Sequence, residues 1–383
     1  MSFTPFLPRV HDVVPRFDAT PFLPNNKAVG LRHFHAIDPA RDDVSTEKRQ
    51  FMVSVLYPAS ADGAAPQARL TDILAPRQEG ALELLARESE LGPAEKRVVF
   101  IRLQSLALRA QRDLKPTVEG KFPVLIYYPG GISHRLSNAA LCEQLASLGY
   151  VVLALDAPRD APVVAFPDGQ LVPFLPDNDE DTIWPRVADV HFLLDQLEEL
   201  NTIGPFSDRL DLTRIGMFGH SRGGYLSNIC AVEDPRIRAA VNMDGFLWGL
   251  WTEGTGLDKY PVEFQERAHA LKTPILRLRG AQVNTEVARR SFEEEVRDFG
   301  GDFISVALHG YQHGSFATMP WLNGVSTDFA ENAMQAPPTP ERVELLTALL
   351  NDFFATYLLN RRPQMKLLTQ QPGGMDVFSR CCA

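Results

Sequence analysis

An α/β fold on a mainly parallel central sheet, flanked by helices, is predicted by three observations. Continuous apolar runs alternate with helix-like segments from residue 121 onward, as strands covered on both faces require. A Gly-x-Ser-x-Gly pentapeptide, Gly219 to Gly223, joins one such run to the helix-like stretch after it. The 383 residues are 45% hydrophobic, which decides for a large globular core over disorder.

The elements read in order. Residues 1–30 are proline-rich and irregular, an expected N-terminal arm. "LRHFHAI" and "QFMVSVLYP" have the β-branched and aromatic content of strands. Residues 62–120 hold a helix-spaced "ALELLARESEL" and an ambiguous "FIRLQSLALRA". No linker isolates this stretch, so it reads as an insertion. "FPVLIYYPGG" is a buried strand ended by Pro-Gly-Gly, and "NAALCEQLASLG" an amphipathic helix with a terminal glycine. "YVVLALDAP" is a strand and "DTIWPRVADVHFLLDQLEEL" a long helix. Strands "RIGMFGHS", "IRAAVNMD", "TPILRLRG" and "DFISVAL" follow. Among them lie the helices "GGYLSNICAVE" and "EVARRSFEEEVRDF", and after them "PERVELLTALLNDFFATYLL". One domain over 31–362 is expected, with lid-like insertions at 62–120 and 318–340 and a C-terminal tail over 363–383.

Charge and cysteines exclude several function classes. The net charge of −10 and the lack of a basic run argue against nucleic acid as a partner. No apolar run reaches the roughly 18 residues that a transmembrane helix needs. The first residues lack a charged start followed by an apolar stretch, so no secretory signal is read. Cys142, Cys230, Cys381 and Cys382 do not form a disulfide-framework pattern, and a cytoplasmic setting is expected.

In such a sheet, functional groups gather beyond the carboxyl ends of the strands. Ser221 lies on the predicted strand-to-helix turn, where small residues two before and two after let the backbones pass closely. A serine hydroxyl needs a base and an orienting acid, which follow it in chain order as acid and then His. His269, His309 and His313 are the histidines after Ser221. His269 reads as a surface residue. His309 and His313 both follow the last strand; His313, deeper in the loop, is the expected base, and His309 the alternative. Gly310 and Gly314 argue against a helical pair of metal ligands, so no metal is expected. The loop after "TPILRLRG" offers only Glu286 as an acid, while the preceding strand ends in Asp244 beside the nucleophile strand. Asp244 is the expected acid and Glu286 the reserve. The backbone N–H groups of Arg222 and Gly131 are the expected oxyanion donors, ahead of Gly130 and Ile132, since Pro129 has none.

With these residues placed, "FPVLIYYPGG", "LASLGYVVLALDAP", "RVADVHFLLDQL", "DLTRIGMFGHSRGG", "DPRIRAAVNMDG" and "HGSFATMPWL" resemble the platelet-activating-factor acetylhydrolase family of α/β-hydrolases. "GLRHFHAIDPARDD" and "FMVSVLYPAS" resemble its early strands, so the likeness spans most of the chain beyond residue 29. It implies the α/β-hydrolase fold and an acid one strand earlier than in most such folds, where Asp244 stands. The base then falls in an H-x-x-F context, at His313. Where this family often has an apolar residue after the nucleophile, this chain has Arg222. Its side chain is expected either to meet an anionic substrate group or to pair with a nearby carboxylate.

The expected chemistry is cleavage of a carboxylic ester of a small or lipid-like molecule through an acyl-serine, with no cofactor. A thioesterase, acyltransferase or cyclase with the same triad is the alternative, and a non-catalytic binding protein the least favoured reading. Phe246, Trp248, Trp251 and Trp321 are expected substrate-pocket residues, with core packing as the other reading. Arg186 and Asp189, at i and i+3, are expected to form a structural ion pair beside a packed His191.

Overall fold

Strands apolar on every side chain need cover on both faces, and helices supply it here. The computed structural model describes residues 27–43, 45–60, 65–86, 107–156, 158–174, 183–248, 256–281, 285–317, 340–360 and 374–380. In chain order the strands are β1 (Ala28–Asp43), β2 (Glu47–Ala59), β3 (Gln67–Arg69), β4 (Ala107–Arg112), β5 (Phe122–Tyr128), β6 (Val151–Asp156), β7 (Val163–Ala165), β8 (Leu171–Pro173), β9 (Leu210–His220), β10 (Ile237–Met243), β11 (Ile275–Ala281), β12 (Phe303–His309) and β13 (Met375–Arg380). The helices are α1 (Gln78–Ala86), α2 (Ala139–Ser147), α3 (Ile183–Thr202), α4 (Arg222–Glu233), α5 (Val262–Ala270), α6 (Thr285–Glu295) and α7 (Pro340–Leu358).

The main sheet runs β13-β12-β11-β10-β9-β5-β6-β2-β1-β4-β3, and β7 and β8 form a separate antiparallel pair. From β12 to β6 every neighbour is parallel; β13 and β2 join antiparallel on either side of that block. Alternate residues of one strand feed opposite cores. Leu125 and Tyr127 of β5 pack with Leu141 and Leu145 of α2 and with Phe353 and Phe354 of α7. Val124, Ile126 and Tyr128 pack with Val190 of α3, Ile229 of α4 and Phe264 of α5. No helix among the described residues is long and apolar enough to cross a membrane.

Three expectations change. Within the 62–120 insertion, β3 and β4 extend the sheet at its far edge, and β4 takes in the end of the ambiguous run. The supposed tail contains β13, paired along its length with β12. Its side chains are mostly only half-buried, so it lacks the apolar signature of the central strands. Arg186 and Asp189 do not pair with each other: Arg186 Nε donates to Asp160 at 2.8 Å, and Asp189 accepts from Arg41 and Arg49. His191 is half-buried, 4.0 Å from Asp234. Residues 1–26 and 318–339, and Cys381 and Cys382, lie outside the described residues.

The insertion is tied to the central block by Glu143 of α2, which accepts the Ala110 N–H of β4 at 2.7 Å. Burial pushes the Glu143 carboxyl up to about 7, against the pull of that N–H. Its contribution to stability is therefore present below about pH 4.5 and is lost as the pH rises to about 7. Glu143→Gln keeps the acceptor and removes the titration. Urea unfolding on either side of that interval is expected to show a smaller loss of stability with rising pH for the variant than for the natural chain.

Candidate active site

The parallel strands end level with one another. Gly219 of β9 lies opposite Tyr128 of β5 and Asn242 of β10, so the residues that follow these strands meet above the sheet. Ser221 stands between β9 and α4 at φ 55° and ψ −119°, a backbone conformation that costs on the order of 1–3 kcal/mol outside glycine. Two approaches force it. A Cβ on Gly223 would lie 2.0 Å from the Tyr128 carbonyl oxygen, and one on Gly219 would lie 2.2 Å from the Gly223 carbonyl carbon. The turn is pinned by the Ser221 N–H donating to Met243 O at 2.9 Å and the Tyr225 N–H donating to Ser221 O at 3.1 Å.

His313, at the start of a short 3₁₀ turn after β12, places Nε2 2.9 Å from Ser221 Oγ and Nδ1 2.7 Å from Asp244 Oδ2. The carboxylate accepts from Nδ1–H, which leaves Nε2 as the acceptor facing the serine hydroxyl. Asp244, at φ 55°, is fixed from behind: its Oδ1 accepts the Gly280 N–H at 2.9 Å, and its own N–H donates to Leu278 O at 2.7 Å. Burial works to raise its carboxyl, but the hydrogen bonds from His313 and Gly280 outweigh burial and hold it below the ordinary carboxylate value.

The structure thus brings Ser221, His313 and Asp244 together and places His309 elsewhere. His309 Nε2 is 3.0 Å from Asp376 of β13. Glu286 is the second residue of α6, and its side chain lies outside the described set. Among the described residues, no three His, Cys, Asp or Glu side chains converge in a metal-holding group.

Sequence reasoning missed His220, which occupies a variable position of the pentapeptide. Its ring lies 4.7 Å from that of His313, and its Nε2 donates to the His313 carbonyl at 2.9 Å. Burial, reinforced by the adjacent His313, pushes its pKa down to about 3, so it stays a neutral prop under the His313 loop.

On the other side of the serine, the bare Cα of Gly130 faces it: a Cβ there would lie 3.2 Å from Ser221 Cβ. Arg222 is the first residue of α4, so its N–H has no partner within the helix. The Ile132 N–H is already committed to Asp160 O at 3.1 Å, which removes it as an oxyanion donor. The Arg222 guanidinium pairs with Asp160, whose other carboxylate oxygen holds Arg186. Of the two expectations for this side chain, the carboxylate pairing is the one the structure contains.

The aromatic expectation changes for Trp248. It is 1% exposed, stacks on Phe299 with ring centres 5.0 Å apart, and donates Nε1–H to Asp298 at 2.9 Å. It is a core residue because an indole of that size fills the gap under α5 while its N–H finds an acceptor. Phe246 is half-buried, with its carbonyl held by Asn242. Trp251 and Trp321 lie outside the described residues.

Comparison with known proteins bears on the fold and on family resemblance. The platelet-activating factor acetylhydrolase, isoform II, family matches residues 40–165, a span that includes the Gly130–Gly131 loop and stops short of Ser221. A "Probable 1-alkyl-2-acetylglycerophosphocholine esterase" of Arthroderma benhamiae is 34% identical over 140 residues, 33% of this chain and 32% of that protein. The "Alpha/beta hydrolase psoB" of Aspergillus fumigatus is 35% identical over 130 residues, 33% of this chain and 26% of its own length. The matches therefore span about a third and a quarter of these relatives. Among solved structures, a ferulic acid esterase from Streptomyces cinnamoneus superposes with a TM-score of 0.69 over 94% of this chain and 98% of its own, at 24% identity. The fold is that of the α/β-hydrolases, and the resemblance to the acetylhydrolase family read from the motifs is found here too.

The glycine approaches make a direct prediction. Gly223→Ala puts a methyl group against backbone, which cannot move aside as a side chain can. A loss of at least about 1–3 kcal/mol is expected in thermal or urea unfolding.

Proposed function

We propose that this chain is a serine hydrolase that cleaves a carboxylic ester of a small or lipid-like molecule. The observation that carries the reading is the single imidazole bonded at once to a strained serine and to a partly buried carboxylate. Ser221 Oγ attacks the ester carbonyl as His313 Nε2 takes its proton. Asp244 holds the tautomer and stabilises the imidazolium. The oxygen of the tetrahedral adduct turns towards the N–H groups of Gly131 and Arg222, a kind of contact worth about 10²–10³ in rate per donor. The adduct expels the alcohol, which receives the proton from His313, and leaves an acyl-serine. Water, deprotonated by the same imidazole, attacks the acyl carbon; the acid departs and the serine regains its proton.

No step calls for a cofactor. Transfer of the acyl group to an amine or thiol would pass through the same intermediate. The His313 side chain is 49% exposed, which favours water as the acceptor. An ester of a glycerolipid type is the first substrate to try, given the name of the Arthroderma relative. The free, buried thiols of Cys142 and Cys230 accord with a reducing, cytoplasmic setting, which we also propose.

A fluorophosphonate probe is expected to label the natural chain and not Ser221→Ala; equal labelling of both, or of neither, would overturn the nucleophile. His313→Ala is expected to abolish turnover of short p-nitrophenyl esters while His309→Ala retains it. Asp244→Asn is expected to lower kcat by about 10⁴-fold through the wrong imidazole tautomer, with the fold intact by circular dichroism.

A further inference from the structure

Asp160 has no part in the triad, yet it touches both segments that bear the oxyanion donors. Its Oδ1 binds the Arg222 guanidinium, and Arg222 supplies one N–H from its backbone. Its carbonyl oxygen accepts the Ile132 N–H at 3.1 Å, and Ile132 directly follows Gly131, the residue that supplies the other. The Arg222 side chain closes the circuit by lying against Gly131: a Cβ on that glycine would come within 3.2 Å of the guanidinium carbon. Asp160 is itself 3% exposed, and its Oδ2 is anchored by Arg186 of α3, 4% exposed. Ile132, meanwhile, is a β-branched residue at φ 53°, where such residues rarely rest without being held.

We infer that Asp160 is a positioning residue for the oxyanion pocket, clamping the Gly131 loop and the Arg222 end of α4 into one unit. The inference rests on the serine-hydrolase reading above. Its physical basis is that an N–H must already point at the place where charge develops, because donors that reorganise during the reaction lose much of their effect. A loop of two glycines has little intrinsic preference for that orientation. The clamp supplies it from outside: the Ile132 N–H is taken up by Asp160, and the flat guanidinium packs against Gly131. Arg222 thereby serves through its side chain the same pocket that its backbone N–H faces. Asp160 touches neither the serine nor the imidazole in this arrangement, so its effect must pass through the loop.

The test compares Asp160→Asn, Arg222→Met and the double variant on a short p-nitrophenyl ester. It also measures inhibition by a trifluoromethyl ketone, which forms an oxyanion on the serine. Each single variant is expected to lower kcat by about 10- to 100-fold, less than outright deletion of a donor, with KM little changed. The inhibition constant for the ketone is expected to rise by the same factor as kcat falls. The double variant should lose no more than the worse single one, since both remove one clamp. Arg222→Met leaves the buried Asp160–Arg186 pair in place, so it keeps the test open if Asp160→Asn fails to fold. Full kcat in both folded single variants would overturn the inference while leaving the triad standing. So would losses that multiply in the double variant, or a rise in KM alone. An inactive natural chain that no fluorophosphonate labels would instead remove the serine-hydrolase reading, and this inference with it.

Discussion

The contact between two bare backbones, Gly219 against Gly223 and Gly223 against Tyr128, sets the geometry of everything above the sheet. It lets β9 reverse into α4 within one residue. That residue must accept φ 55°, and the sheet holds it there through the bond from the Ser221 N–H to the end of β10. Since the same two glycines press on the end of β5, the Gly130–Gly131 loop starts from a fixed point beside the serine. Any widening of this crossing would displace nucleophile, acid and loop together.

Around that turn, partners assign the charges. Asp244 and Asp160 are both shielded carboxylates near the serine, yet they face different company. Asp244 divides its oxygens between a backbone N–H and an imidazole, so it stays ionised and able to orient the ring. Asp160 divides its oxygens between two guanidiniums instead. His220 and His313 differ in the same manner. The first is buried and kept neutral, whereas the second is half exposed and bonded to a carboxylate. Two residue types with two environments each give four distinct parts.

The sequence was most legible where burial is two-sided. The runs at 122–128, 151–156 and 237–243 read as strands because apolar residues fall on both faces, with Asp156, Arg238 and Asn242 the charged or amide exceptions. The edges were not legible, because β4 alternates, β13 is mostly half-buried, and both carry charges as ordinary loops do. The three side chains that meet at the serine could be singled out because chain order and strand ends constrain them. Asp160 could not, since its partner Arg222 is 62 residues away and nothing local marks the pair. The i,i+3 spacing of Arg186 and Asp189 misled for the converse reason. Local proximity on a helix offers a few tenths of a kcal/mol, about 0.2–0.5, and each side chain found a buried partner on another element instead.

The level strand ends described above also bear on how the chain folds. Ser221 and His313 are 92 residues apart in sequence, and Asp244 and His313 are 69 apart. Such contacts return nothing until long loops have been closed, a cost that local helices do not share. The register of β9, β10, β11 and β12 must be complete before the imidazole can reach both partners. The Ser221–His313 contact is therefore a late event in assembly.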